Sequence, residues 1–180
     1  LVEKKKIINK KKIKVNDLIV AIPSSGLHSN GYSLVRRVLK KKGIKLIKNK
    51  FLKKELIKPT KIYVKEILNL NKKKLINGCA NITGGGIEDN IKRIMSSHLC
   101  AKIDLNKIKP NLIFKWLHDQ GVNDKEMIKT FNCGVGFCLI INSKNFKKVK
   151  KYFSKNFQPY IIGKIINDKK NVYLNGKIKW

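Results

Sequence analysis

The sequence predicts an α/β domain of the layered α+β type, a mixed sheet with flanking helices. Short apolar runs alternate with stretches whose apolar residues recur every three or four positions, the two periods of buried strands and amphipathic helices. Twice, a small polar loop rich in Gly, Ser or Thr stands between such a run and such a stretch. At 180 residues and 42% apolar content, the chain is long enough for a real core and too apolar to be disordered. No internal repeat or flexible linker divides it, so residues 1–180 read as a single domain, with residues 1–16 as a lysine-rich lead-in.

Taken in order, Leu18–Ile22 is five apolar residues in a row, a strand covered on both faces. After a polar loop, Leu34, Val35, Val38 and Leu39 recur at helical spacing, and Gly43 is placed to stop that helix. Residues 44–57 have no clear period and read as connection. Pro59-Thr60 opens a helix, since proline suits a first turn, with Tyr63, Ile67 and Leu70 on one stripe and Val64 and Leu68 beside it. Residues 76–82 read as a strand and 87–95 as a helix, with Glu88 and Asp89 in its first turn and Lys92 and Arg93 near its end. Leu99–Asp104 is a strand, and Pro110 starts a helix carrying Leu112, Ile113, Trp116 and Leu117. Asn123 to Glu126 fits a capping box for a short helix, and residues 134–141 are an apolar strand. Ser143 caps a helix with Phe146, Val149 and Phe153 inward, and residues 160–166 and 172–173 are late strands.

The formal charge of +31, from 42 basic and 11 acidic residues, invites a nucleic-acid reading. Composition argues against it. Lys outnumbers Arg by 39 to 3, the lysines are spread along the whole length, and Ile, Lys and Asn make up about half the chain, the signature of AT-rich coding. The four cysteines, Cys79, Cys100, Cys133 and Cys138, show no metal-ligand spacing and read as small buried residues in a reducing compartment. No apolar run reaches the ~18–20 residues of a membrane span, and the lysines at 4–6 are followed by no signal-peptide core. A soluble, cytoplasmic protein is expected. The start at Leu1, running at once into KKKII, reads as a cut edge.

Two loops carry the chemistry. Ser24, Ser25, Gly26, His28, Ser29 and Asn30 offer hydroxyls, an imidazole and an amide between strand and helix, and Thr83-Gly84-Gly85-Gly86 occupies the same kind of position about 55 residues on. Three successive glycines let backbone N–H groups converge on an anion, which exceeds what a tight turn needs. Asn132, before Cys133-Gly134, either forms a turn or presents its amide to a ligand. His98 and His118 have no partners at ligand spacing. No metal-ligand cluster, P-loop lysine or paired-carboxylate motif is present, and few acidic residues are candidates for holding Mg²⁺.

The segments SSGLHSNGYSLVRRVL, PTKIYVKEIL, NITGGGIEDNIKRI and MIKTFNCGVGF, in this order and spacing, closely resemble the C-terminal domain of the phosphoribosylformylglycinamidine cyclo-ligase (aminoimidazole ribonucleotide synthetase) family. The resemblance runs to the IGKI stretch at 162–165. It implies an ATP-driven ring closure in purine synthesis, in which the formyl oxygen of formylglycinamidine ribonucleotide is activated and the amidine nitrogen then attacks. It implies that Thr83 to Gly86 hold substrate phosphate and that Ser24 to Asn30 line the facing wall. His28 and Asn30 are the implied catalytic contacts, and Asn132 is a further ligand contact. It also implies ATP and Mg²⁺ held mainly by an N-terminal half that nothing here matches, a homodimer of the full-length enzyme, and no turnover by this chain alone. Asn81 stands where a histidine is expected, Lys92 for a proline and Lys129 for an arginine. The rival readings are a basic nucleic-acid-binding domain and a degenerate remnant.

Overall fold

The computed structural model describes residues 7–180; the first six residues of the lead-in lie outside them. One sheet contains β1 (Leu18–Pro23), β2 (Gly78–Asn81), β3 (Leu99–Asp104), β4 (Val135–Ile141), β5 (Tyr160–Asn167) and β6 (Val172–Asn175), in the order β2-β4-β1-β5-β3-β6. Every neighbouring pair is antiparallel except β3 and β6, which makes the sheet mixed. The helices among the described residues are α1 (Tyr32–Lys41), α2 (Lys50–Leu56), α3 (Val64–Lys72), α4 (Gly86–Lys92), α5 (Leu112–Asp119), α6 (Asp124–Thr130) and α7 (Phe146–Lys150). None is long and apolar enough to cross a membrane.

The two-residue period of the strands sorts side chains into two cores. Ile19 and Ala21 of β1, with Cys138 and Ile140 of β4, point to one face, where Leu34, Leu52, Ile91, Ile113 and Met127 of α1, α2, α4, α5 and α6 pack. Val20, Ile22, Leu139 and Ile141 point to the other, under Ile67 and Leu70 of α3 and Val149 of α7. Burial on both faces is why Leu18–Ile22 is an unbroken apolar run.

β1 and β2 both pair antiparallel with β4, one on each side. They therefore run parallel to each other, about 10 Å apart, and release their loops at the same end of the sheet. That is also the end where β4 begins. Three segments far apart in sequence thus converge: the loop after β1, the loop after β2, and the Asn132–Gly134 turn.

Several elements differ from the sequence reading. Residues 44–57 hold α2, capped by Asn49, whose Oδ1 accepts from the Leu52 N–H at 2.9 Å. A single fully buried leucine among lysines gives no readable period. Pro59 opens no helix. The Ser25 hydroxyl donates to the Pro59 carbonyl at 2.7 Å and accepts from the Lys61 N–H at 3.1 Å, which fixes this stretch outside a helix until Val64. Val64 and Leu68 lie outward, 59% and 62% exposed. Ser143 does not cap the later helix: it opens a 3₁₀ turn (Ser143–Asn145) that leads into α7, and Asn142 caps that turn, its Oδ1 accepting from the Lys144 N–H at 3.0 Å. β2 and α4 are shorter than their apolar patterns suggest, whereas β3 spans the expected residues. Asn123 caps α6 as expected, accepting from the Glu126 N–H at 2.9 Å. All four cysteines are free thiols; three are buried and Cys79 is half-buried.

Gly136 in β4 holds the loop end together by leaving space. A Cβ there would stand 1.9 Å from the Tyr63 Oη and 2.7 Å from the His28 Cε1. The Tyr63 hydroxyl crosses over it to donate to the Pro23 carbonyl at 2.8 Å. Gly136→Ala is therefore expected to destabilise the fold by about 1–3 kcal/mol, the usual cost of overpacking, read as a lower urea midpoint. Tyr63→Phe, which removes the clashing oxygen, should recover part of that loss in the double variant. An unchanged midpoint in Gly136→Ala would contradict this packing.

Candidate functional site

The loop after β1 is built from the inside by buried polar groups. Asn132, 3% exposed, donates from Nδ2 to the carbonyls of Gly26 (2.9 Å) and Leu27 (3.3 Å), while its Oδ1 accepts from the Gly134 N–H at 2.8 Å. Ser24, equally buried, exchanges two hydrogen bonds with Asn111 just before α5, Oγ to Oδ1 at 3.0 Å and Nδ2 to the Ser24 carbonyl at 3.3 Å. His28 sits in the left-handed region (φ 58°), 7% exposed, and its Nε2 accepts from the Ser25 N–H at 3.2 Å. A ring nitrogen that accepts is unprotonated, and burial holds the His28 pKa below its ordinary value.

The loop after β2 is clamped by Asn90, 4% exposed on α4. Its Nδ2 donates to the carbonyls of Gly86 (2.7 Å), Thr83 (3.3 Å) and Gly84 (3.3 Å). Its Oδ1 accepts from the Thr83 hydroxyl and from Arg93 Nη1, both at 3.2 Å. In a trans peptide the N–H points opposite to the C=O of the same unit. With the Thr83 and Gly84 carbonyls drawn onto Asn90, the N–H groups of Gly84 and Gly85 face the other way. Gly86 is fixed by close approach, since a Cβ there would stand 1.8 Å from the Ile128 carbonyl oxygen of α6.

One bond joins the two loops: the Gly84 N–H donates to Asn30 Oδ1 at 3.1 Å. Beside it the Ser29 and Thr60 hydroxyls lie 3.3 Å apart on the exposed rim. The structure thus divides the expected site residues. Ser29, Asn30, Gly84 and Gly85 lie at the accessible surface between the loops. Ser24, Ser25, Gly26, His28 and Asn132 form the support beneath or beside them. The Thr83 hydroxyl and the Gly86 N–H, which donates to the Thr83 carbonyl at 3.1 Å, are taken up within the loop. Ser24, Asn132 and His28 thus stand among the support residues: the first two are buried and hydrogen-bonded to protein, and the His28 ring is buried with its pKa held below the ordinary value.

Asn90, Asn111, Tyr63 and Gly136 escaped the sequence reading. Asn90 had a signal: it occupies the apolar stripe Ile87, Ile91, Ile94, where an amide needs a buried partner. On the other flank of Gly85, a cavity of about 360 Å³ is lined by Glu88, Asp89, Lys125 and Lys129. Two charges of each sign leave that flank with no net charge. Among the described residues no group of three or more His, Cys, Asp and Glu side chains is arranged to hold a metal ion.

The buried neutral His28 makes stability depend on pH. Below about pH 6.5 the unfolded chain takes up a proton at this position that the folded chain resists, so stability is complete above that pH and falls as pH drops towards the lower folded value. Thermal melts between pH 5 and 8 should show a shallower acid loss for His28→Asn, which tolerates the left-handed backbone, than for the parent. Equal slopes would contradict a buried neutral imidazole.

The AIR synthase related protein C-terminal domain family matches residues 14–175. Among curated relatives, the chain is 41% identical over 179 residues to the phosphoribosylformylglycinamidine cyclo-ligase of Acetivibrio thermocellus, covering 96% of this chain and 53% of that protein. It is 43% identical over 169 residues to that of Streptococcus pyogenes serotype M4, covering 91% and 49%. The chain thus spans about half the length of the curated relatives it matches. Its fold is shared with thiamine-monophosphate kinase from Stenotrophomonas maltophilia K279a, at TM-score 0.68 and 14% identity over 99% of this chain and 56% of that one. Phosphoribosylformylglycinamidine synthase II from Thermotoga maritima shares it at TM-score 0.59 and 11% identity, over 98% and 26%. With the match extending over nearly the whole sequence, the chain belongs to the AIR synthase related protein family, as its C-terminal domain.

Proposed function

We propose that this chain is the substrate-phosphate-binding C-terminal half of a phosphoribosylformylglycinamidine cyclo-ligase, the purine-biosynthetic enzyme that closes formylglycinamidine ribonucleotide to aminoimidazole ribonucleotide at the expense of ATP. Relatives of that name at 41–43% identity support the reading. The observation that carries it is the Gly84 N–H to Asn30 bond, which joins the HSNGYS and TGGG loops into one surface.

In this reading the Gly85 N–H, together with the Gly84 N–H once it exchanges Asn30 for a ligand, meets the phosphate monoester of the ribonucleotide. Asn30 then has its amide for the substrate's polar groups, and the Ser29 and Thr60 hydroxyls border the same surface. The chemistry transfers the γ-phosphoryl group of ATP to the formyl oxygen with release of ADP, forms a bond from the amidine nitrogen to the formyl carbon with loss of a nitrogen-bound proton, and breaks the formyl C–O bond to release phosphate. This chain contributes position: it fixes the ribonucleotide by its phosphate, and the neutral His28 keeps the loop backbone in place without adding charge. ATP and Mg²⁺ belong to the N-terminal half, which also supplies the homodimer contacts of the complete cytoplasmic enzyme.

Gly84 allows a clean test, because it is the glycine of the loop at which a Cβ is accommodated: it would meet only Asn30 Oδ1, at 3.6 Å. In the chain joined behind the N-terminal half of the Acetivibrio thermocellus relative, Gly84→Val should raise the KM for formylglycinamidine ribonucleotide about ten- to hundredfold, because the branched side chain beside Asn30 keeps the phosphate from a charge-assisted hydrogen bond to the loop N–H groups, which the substitution itself retains. The melting temperature and the KM for ATP should stay unchanged. An unaltered KM for the ribonucleotide would remove the phosphate-loop assignment.

A further inference from the structure

We infer that Glu55, acting through Lys58, is a positioning residue for the loop after β1. Its effect on the ribonucleotide rests on the reading just proposed. Glu55 lies near the end of α2, three residues after the fully buried Leu52, and is itself 7% exposed. Its Oε1 pairs with Lys58 Nζ. Its Oε2 is the one enclosed side-chain polar atom among the described residues that has no hydrogen-bond partner. A carboxylate oxygen shut away from water without a donor destabilises a fold, and an apolar side chain in its place carries no such cost. One of only 11 acidic residues in the chain thus stands where stability alone favours an apolar one.

The ion pair lies against the loop. A Cβ on Gly26 would stand 3.8 Å from Lys58 Cδ and 3.9 Å from both Lys58 Cβ and the Glu55 carbonyl oxygen. The Lys58 stem therefore runs past Gly26 on its way back to Glu55, while Asn132 takes the Gly26 and Leu27 carbonyls from within. Three further bonds tie residues 56–61 to the segment that follows β1. The Tyr32 hydroxyl donates to the Leu56 carbonyl at 2.7 Å, and the Ser25 hydroxyl bridges the Pro59 carbonyl and the Lys61 N–H. With the Ser29 and Thr60 hydroxyls 3.3 Å apart, the two stretches form one hydrogen-bonded unit. The Glu55–Lys58 pair fixes where that unit sits on α2, and with it Ser29 and Asn30, the residues of this loop that reach the accessible surface. Loss of the charge relaxes the loop and leaves the domain folded.

Amide hydrogen exchange in the chain alone tests this directly, because the Ser25 N–H is bonded to His28 Nε2 and the Lys61 N–H to Ser25 Oγ. Glu55→Gln keeps the side chain's shape and removes its charge. Both amides should then exchange at least about tenfold faster, with the melting temperature unchanged or raised. Lys58→Met, which strands the buried carboxylate, should lower the melting temperature, and adding Glu55→Gln should restore it. The double variant should exchange no faster than Glu55→Gln, since the one residue acts through the other. In the chain joined behind the N-terminal half of the Acetivibrio thermocellus relative, Glu55→Gln should raise the KM for formylglycinamidine ribonucleotide about three- to tenfold and leave that for ATP unchanged. Unaltered exchange at Ser25 and Lys61 overturns the inference. So does a melting temperature that falls with equal acceleration throughout β1 and β4, which makes the pair a support of the whole fold. Faster exchange with an unaltered KM in an active joined protein also overturns it. A joined parent protein without turnover removes the cyclo-ligase reading, and the exchange rates then decide the positioning role by themselves.

Discussion

The site depends on one topological constraint, the placement of β4 between β1 and β2. Antiparallel pairing on both sides forces β1 and β2 to run the same way and to release their loops at the end where β4 begins. The Asn132–Gly134 turn thus lies within reach of both loops. Asn132 holds the first loop from below, and Gly136, one step into β4, leaves the space in which Tyr63 and His28 meet. The order of three strands brings the pieces together, and their side chains lock them.

The locking is done largely by asparagine. Asn132, Asn90 and Asn111 each satisfy backbone carbonyls or a buried hydroxyl that irregular loops would otherwise leave unpaired, a cost of about 1–3 kcal/mol per group. Because the carbonyls turn inward onto amide donors, the N–H groups of the glycine loop turn outward. An amide is suited to this: it carries donors and an acceptor in one plane and brings no charge into the interior. The outward donors then stand where an anion can be met without a lysine, in a chain whose lysines are otherwise dispersed over its surface.

Much of this was legible in the sequence, and what was missed has physical causes. Continuous or alternating apolar runs mark β1, β3 and β4 because those strands are covered on one or both faces. α2 is invisible because one buried leucine in a lysine-rich stretch makes no pattern, and Pro59 misleads because a tertiary bond to Ser25 outweighs the local preference for a helix start. The two loops could be found from their residue types, but not which residues face a ligand. His28 and Asn132 have the chemistry of site residues and the burial of structural ones, and burial is set by contacts with residues about a hundred positions away. Asn90 was recoverable as a polar residue on an apolar stripe.

The central claim is that these two loops form one phosphate-receiving surface. Titrating the isotopically labelled chain with ribose 5-phosphate while following backbone amide resonances tests it most directly. The account predicts saturable shifts at Gly84, Gly85, Ser29 and Asn30, with Asn132 and the β3–β6 edge unmoved. Shifts confined to lysine-rich surface segments, with the glycine loop silent, would contradict it.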